Sequence, residues 1–310
     1  MSQAGTLLYE HFFKPVGLIK RNGGLWQHIL IEQDIRHMKS MSKSLQIPVF
    51  EHTISDVTVC GIAGKYNWHQ MIFCLYSFFT QLKKNVNTVI IDDGTIDDNF
   101  CAHIKNLIPH VQILLHKDTN EIIRNFLHGR HLSACEKYYD KFVVFKKLFH
   151  ARALLSGHVL LFDADMLFFH YPHEIAQWLQ SPDLPVFMHD KYTIYGAQTQ
   201  YLMHNDLILP NLNTGIIGMD NNAIDWKQIE KHVAAYLQNG PLSYLMEQAV
   251  YAMYLQGKPH LRLPTEKYEI LPSKHEVQAP KAVMHHYPTE ERKWYYRYGW
   301  KHIVARQNAE

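Results

Sequence analysis

His158-Val-Leu-Leu-Phe-Asp-Ala-Asp-Met-Leu-Phe-Phe169 is the stretch whose reading decides the fold. Four apolar residues in a row, with no polar alternation, predict a central strand of a parallel sheet covered on both faces. Side chains alternate along a strand, so Asp163 and Asp165 converge at its carboxyl end, where open α/β sheets bind their ligands. Two carboxylates so close repel each other, and one keeps its proton unless a cation sits between them. A hard divalent ion, Mg2+ or Mn2+, resolves the repulsion and brings phosphate oxygens with it. Taken alone, Asp-x-Asp also reads as a turn that ends a strand.

Upstream of this strand the hydrophobic pattern alternates. Strands are expected at 57–64, 88–94 and 111–115, and helices at 67–82, from about 95 to 107, after Asp118, and at 137–155. Thr95 with Asp98, and Ser133 with Glu136, are spaced as capping boxes. Strand and helix in that rhythm mean right-handed βαβ crossovers and a mostly parallel sheet. The absence of GxGxxG after the first strand argues against a dinucleotide fold, and the absence of GxxxxGK[ST] against a P-loop. Downstream, Pro172 starts a helix to 179, residues 185–188 form a short strand, and Asn213-Thr-Gly is a turn entering another strand. Helices follow at 226–237 and 243–255. The organisation read from this is an N-terminal extension, 1–56, and a single α/β domain, 57–310. Within the extension, Ile31, Ile35, Met38, Met41 and Leu45 have helical spacing, so 27–45 packs on the domain or meets a second subunit of a homodimer.

The 310 residues suffice for a large α/β core, and 31 basic against 29 acidic side chains leave a formal charge of +2. That balance lacks the basic face a nucleic-acid binder needs. Cys60, Cys74, Cys101 and Cys135 have no zinc spacing and read as buried thiols in a reducing compartment, hence a cytoplasmic expectation. Residues 1–8 carry no signal-peptide pattern, and no apolar window is long enough for a membrane span.

Asp163 and Asp165 after an apolar strand, Asn213-Thr-Gly about fifty residues on, Glu247-Gln248 opening an apolar helix, and His285-His286 followed by Lys293-Trp294 form an ordered set. It resembles the GT-A glycosyltransferases, most closely the retaining family 8 type that includes glycogenin and bacterial lipopolysaccharide galactosyltransferases. The resemblance covers roughly residues 57–295 and implies a Rossmann-like domain moving a sugar from a nucleotide-diphosphate donor, a UDP-sugar, with retention. It places Mn2+ or Mg2+ on Asp163, Asp165 and either His285 or His286, and a diphosphate contact on Lys293. Asn213 and Gly215 would line the sugar, and Glu247 and Gln248 would lie beside the reacting carbon, with Glu247 standing where the family has Asp. Ala63, Tyr66, Asp93, Lys147 and Ala164 complete the expected donor site, Tyr66 stacking on the base. The acceptor stays open between a carbohydrate, a lipid-linked sugar and a protein.

Two other readings fit parts of the pattern. Haloacid-dehalogenase phosphatases also carry Asp-x-Asp after an apolar strand, as nucleophile and acid, but at the first strand of their domain. A non-catalytic sugar-nucleotide binder would need the same pocket. The segment 285–301, rich in aromatic and basic residues, reads either as a lid over the donor or as a docked helix.

Overall fold

The computed structural model describes residues 17, 19–20 and 22–307. Seven strands form one sheet in the order β3-β2-β1-β4-β7-β6-β8: β1 Thr53–Ala63, β2 Asn85–Asp92, β3 Gln112–Leu114, β4 His158–Phe162, β6 Val186–His189, β7 Leu212–Asp220 and β8 Leu261–Arg262. β1 to β4 run parallel, and β7 is antiparallel to both β4 and β6. The buried run Val159–Phe162 is covered on both faces, which is why it lacks polar alternation. β1 neighbours β2 on one side and β4 on the other. That divergence opens a crevice at the carboxyl ends of β1 and β4.

β5, Met166–Phe168, leaves the main sheet directly after Asp165 and pairs antiparallel with β10, Met284–His286. β9, Tyr268–Ile270, lies parallel to β10 on its other side. This second, three-stranded sheet carries the late histidines back to the end of β4.

Helices pack on both faces. α1, Leu25–Ser42, buries Ile31 and Met38, and its Asp34 pairs with Arg297 and Lys301, so it lies on the main domain. α2, Trp68–Leu82, is buried nearly all round. α3 is Asp98–Leu107, and its N-cap is Asp97, whose carboxylate accepts from Phe100 N, instead of the expected Thr95 and Asp98 pair. α4 is His116–Gly129. The expected helix 137–155 is broken into α5, Ser133–Tyr138, α6, Phe145–Leu148, and α7, His150–Leu154. β-Branched Val143 and Val144 are poor helix formers, and the break turns Lys146 and Lys147 inward instead of onto a solvated face. Asn213-Thr-Gly lies inside β7 and not in a turn before it. α8, His173–Gln180, α9, Thr199–His204, α10, Trp226–Gln238, α11, Met246–Leu255, and α12, Lys274–Gln278, complete the layers up to the C-terminal run.

That run, 292–307, ends in α13, Trp300–Gln307, and is docked: Tyr295 and Trp300 are buried, and Trp300 meets Phe73 and His37 edge-on. Among the described residues no helix is long and apolar enough to cross a membrane.

Candidate active site

Backbone pairing assembles the site. Asp163 N donates to Gly215 O at 2.8 Å, which fixes the end of β4 beside the start of β7, and Tyr287 N donates to Asp165 O at 2.9 Å. The β5 to β10 register sets His286 opposite Met166 and so beside Asp165. His286 Nε2 lies 3.3 Å from Asp165 Oδ1 and 3.7 Å from Asp163 Oδ2. One ligand atom from each of the three residues lies within 4.8 Å of the others. Two carboxylate oxygens and an imidazole nitrogen suit a divalent ion such as Mn2+.

Two cations flank the cluster. Lys147, buried, donates to Asp163 Oδ1 at 3.0 Å and Thr214 Oγ1 at 3.1 Å, and lies 3.7 Å from Glu247 Oε2. Burial alone would lower its pKa, but the Asp163 and Glu247 carboxylates outweigh it and hold the proton on. Arg292 donates to Asp165 Oδ2 at 2.6 Å. Burial would raise the Asp165 carboxyl, yet His286 and Arg292 hold it well below the usual carboxylate range.

These groups stand where two clefts meet. One, about 230 Å3, is lined by Ile62, Asn67, Gln70, Val143 and Ala164. The other, about 340 Å3, holds Asp190, Asn213, Thr214, Glu247 and Gln248. Val144, Lys147, Asp163, Asp165 and Arg292 belong to both. Glu247, in the first turn of α11, accepts from Thr214 Oγ1 at 2.9 Å through Oε2, while Oε1 is buried without a hydrogen bond. Burial pushes its carboxyl up to about 7, against the pull of Lys147 and Thr214. Asn213 donates to Asp190 Oδ2 at 2.9 Å.

No family model matches the chain, and no curated protein matches it. Among solved structures, mouse xyloside xylosyltransferase 1 in its apo form superposes with a TM-score of 0.53 at 11% identity, over 76% of this chain and 99% of that one. The galactosyltransferase LgtC, in complex with donor and acceptor sugar analogues, gives a TM-score of 0.50 at 11% identity, over 77% of this chain and 95% of that one. The fold is that of the GT-A glycosyltransferases.

On this GT-A frame the residues singled out in the sequence fall into two groups. Asp163, Ala164, Asp165, Lys147, Asn213, Glu247, Gln248 and His286 face the clefts. His285 points the other way, as strand alternation requires: its Nε2 lies 3.1 Å from Glu276 and its Nδ1 3.0 Å from Tyr287 Oη. Lys293 lies over the Trp294 ring at 5.1 Å, and the cation at the carboxylates is its neighbour Arg292. Gly215 makes room rather than contact, since a Cβ there would sit 2.6 Å from the His286 ring. Ala63 packs in the core, and Tyr66 is 79% exposed outside both clefts. Asp93 accepts from Thr95 N at 2.9 Å, and Gly64 is what lets its carboxylate approach β1. Lys146 donates to Asp92 O at 2.9 Å, and burial pushes it down to about 8.

Sequence reasoning passed over Gln70, Asp190 and Arg292. Gln70 is buried, lines the smaller cleft and leaves its Nε2 unpaired. Its signal was a polar residue in the first turn of an otherwise apolar helix, and that of Asp190 was a carboxylate ending a strand.

Proposed function

We propose that the protein is a metal-dependent glycosyltransferase that uses a UDP-sugar and transfers with retention. The observation that carries this is the Asp163, Asp165 and His286 cluster at the carboxyl end of β4, flanked by Lys147 and Arg292 and set between two clefts on a GT-A frame. The smaller cleft suits the nucleotide: Ile62 and Val143 offer apolar surface to a base, and Gln70 has an amide donor to spare. The larger suits the two sugars, with carboxylate and amide groups for their hydroxyls.

Mn2+ or Mg2+ on the cluster would supply electrostatic stabilisation of a leaving diphosphate. Arg292 adds a fixed positive charge beside the same oxygens, so no proton donor is needed there. Lys147 holds Asp163, Thr214 and Glu247 in one arrangement. Glu247 lines the larger cleft with Oε1 free of any hydrogen bond, so its carboxylate, once ionised, is the group at hand to stabilise positive charge on the anomeric carbon or to attack it. Either role is compatible with retention: attack by Glu247 gives a glycosyl-enzyme whose second displacement restores the configuration, and charge stabilisation serves attack from the face the diphosphate leaves.

The main-sheet order does not accommodate a phosphatase of the haloacid-dehalogenase type, since Asp163 follows the fourth strand in the chain. A panel of UDP-sugars, assayed for UDP release with Mn2+ and with chelator, tests the reading. Expected is release for one sugar that chelator abolishes, and a product of retained anomeric configuration by NMR. No release with any nucleotide sugar would overturn it, and metal-free binding without turnover would favour the non-catalytic binder.

A further inference from the structure

Tyr192, Ile194 and Tyr244 are 61%, 53% and 56% exposed, and all three line the mouth of the larger cleft. They come from two loops, 190–198 and 239–245, that are braced on each other. Gln198 Nε2 donates to Pro241 O at 2.9 Å and to Tyr236 O at 3.2 Å, and Gln248 Nε2 donates to Ile194 O at 3.4 Å. Glycine at 240 permits this closeness, since a Cβ there would lie 2.9 Å from the Gln198 amide. On the far side Lys191 Nζ donates to Leu271 O at 2.9 Å. Large apolar side chains held in water on fixed loops form a surface prepared for a ligand, because little ordering is left to be done when it is covered.

We propose that this braced aromatic wall is a saccharide subsite beyond the reacting centre, which takes the second sugar ring of an oligosaccharide acceptor. The inference rests on the transferase reading above. A pyranose ring has a face of C–H groups and a rim of hydroxyls. Tyr192 and Tyr244 match it with ring faces and phenolic hydroxyls, and Asp190 and Lys191 beside them supply a hydrogen-bond acceptor and donor at the rim. An acyl chain would need an unbroken apolar channel, which Asp190 and Gln248 interrupt. The floor of the cleft, with Asn213, Glu247 and Gln248, belongs to the reacting sugars, so a wall this far out at the mouth reaches the ring after them.

An array of mono-, di- and trisaccharides on one linker, probed with wild type and with Tyr192→Ala, Tyr244→Ala and Tyr192→Phe, reads the subsite without requiring turnover. Wild type should retain di- and trisaccharides above monosaccharides; each Ala variant should lose that preference by about 10-fold, and Tyr192→Phe should keep most of it. With the acceptor found, kcat/KM for disaccharide over monosaccharide should fall by the same factor in the Ala variants. Equal losses at every length, no loss, or binding only to lipid vesicles or peptides would overturn the subsite. UDP release by water in the absence of acceptor reports on the donor half alone. Its absence overturns the transferase reading, whereas release with length-independent saccharide binding overturns only this inference.

Discussion

Arg292 and Lys293 adjoin in the chain but point about 100° apart around a helical turn, so only one of them can face the carboxylates. Arg292 does, and Lys293 instead covers Trp294. Arg292→Ala should weaken Mn2+-dependent UDP binding by about 10-fold or more, while Lys293→Ala should stay within about 2-fold. Calorimetric titration decides between them, and the reverse order would return the diphosphate contact to Lys293. Asp165→Asn removes a charge that both His286 and Arg292 face, and should cost at least about 10-fold in the same titration. Its melting temperature should fall as well, since the buried carboxylate gives up its pairing with His286 and Arg292, so the titration is run well below that temperature; unchanged UDP affinity would mean that the ion is held elsewhere. The two aspartates were legible because the apolar run before them marks locally where the chain leaves the sheet, although they lie in the bend between β4 and β5 and not on the strand itself. Choosing His286 over His285, or Arg292 over Lys293, required knowing which strand β10 pairs with, and no local pattern carries that.

At the scale of elements, α5 illustrates why local rules stop short. Ser133 and Glu136 have the spacing of a capping box, yet the first amides of α5 are satisfied by Glu230, almost a hundred residues later on α10. Its Oε1 accepts from Ala134 N at 2.7 Å and its Oε2 from Cys135 N at 2.9 Å. A carboxylate at a helix start also meets the favourable end of the helix dipole. Glu230→Ala should therefore cost about 1–2 kcal/mol of stability and lower the melting temperature by about 2–4 °C, with UDP affinity retained. A variant as stable as wild type would show that water replaces the carboxylate at no cost. The same kind of distant partner explains the break in 137–155. Periodicity favoured one long helix there, but Lys146 and Lys147 find their acceptors on β2, β4 and β7, and a continuous helix would carry them away. The β/α alternation itself was legible, because each strand is an apolar run of its own. The second sheet was not, because its strands are three residues each and owe their pairing to the fold around them.

Across the whole molecule, the 22 histidines matter through those the fold buries. His69 and His150 are each 1% exposed, and neither ring has a hydrogen-bond partner for either nitrogen. Burial, with Lys39 near the first and Lys146 and His116 near the second, pushes both down to about 3. His232 and His285 are likewise pushed down to about 4 by burial. The sign follows from proton counting. Below pH 6.5 the unfolded chain protonates these rings and the folded one does not, so stability is lost as pH falls, at up to about 1.4 kcal/mol per pH unit for each ring. Glu247 works in the opposite direction: folded, it takes its proton near pH 7, whereas unfolded it does so only near 4.5, so acidification across that window favours the fold. Four rings against one carboxyl leave a net loss. Urea unfolding at pH 7 and at pH 5 should therefore show wild type less stable at the lower pH, by an amount large against the few kcal/mol that separate a marginal fold from an unfolded one. His150→Leu, which keeps the volume and removes the titrating ring, should shrink that difference by about 2 kcal/mol. If the variant loses as much between pH 7 and pH 5 as wild type does, then His150 is charged within the fold and the buried, neutral ring is wrong.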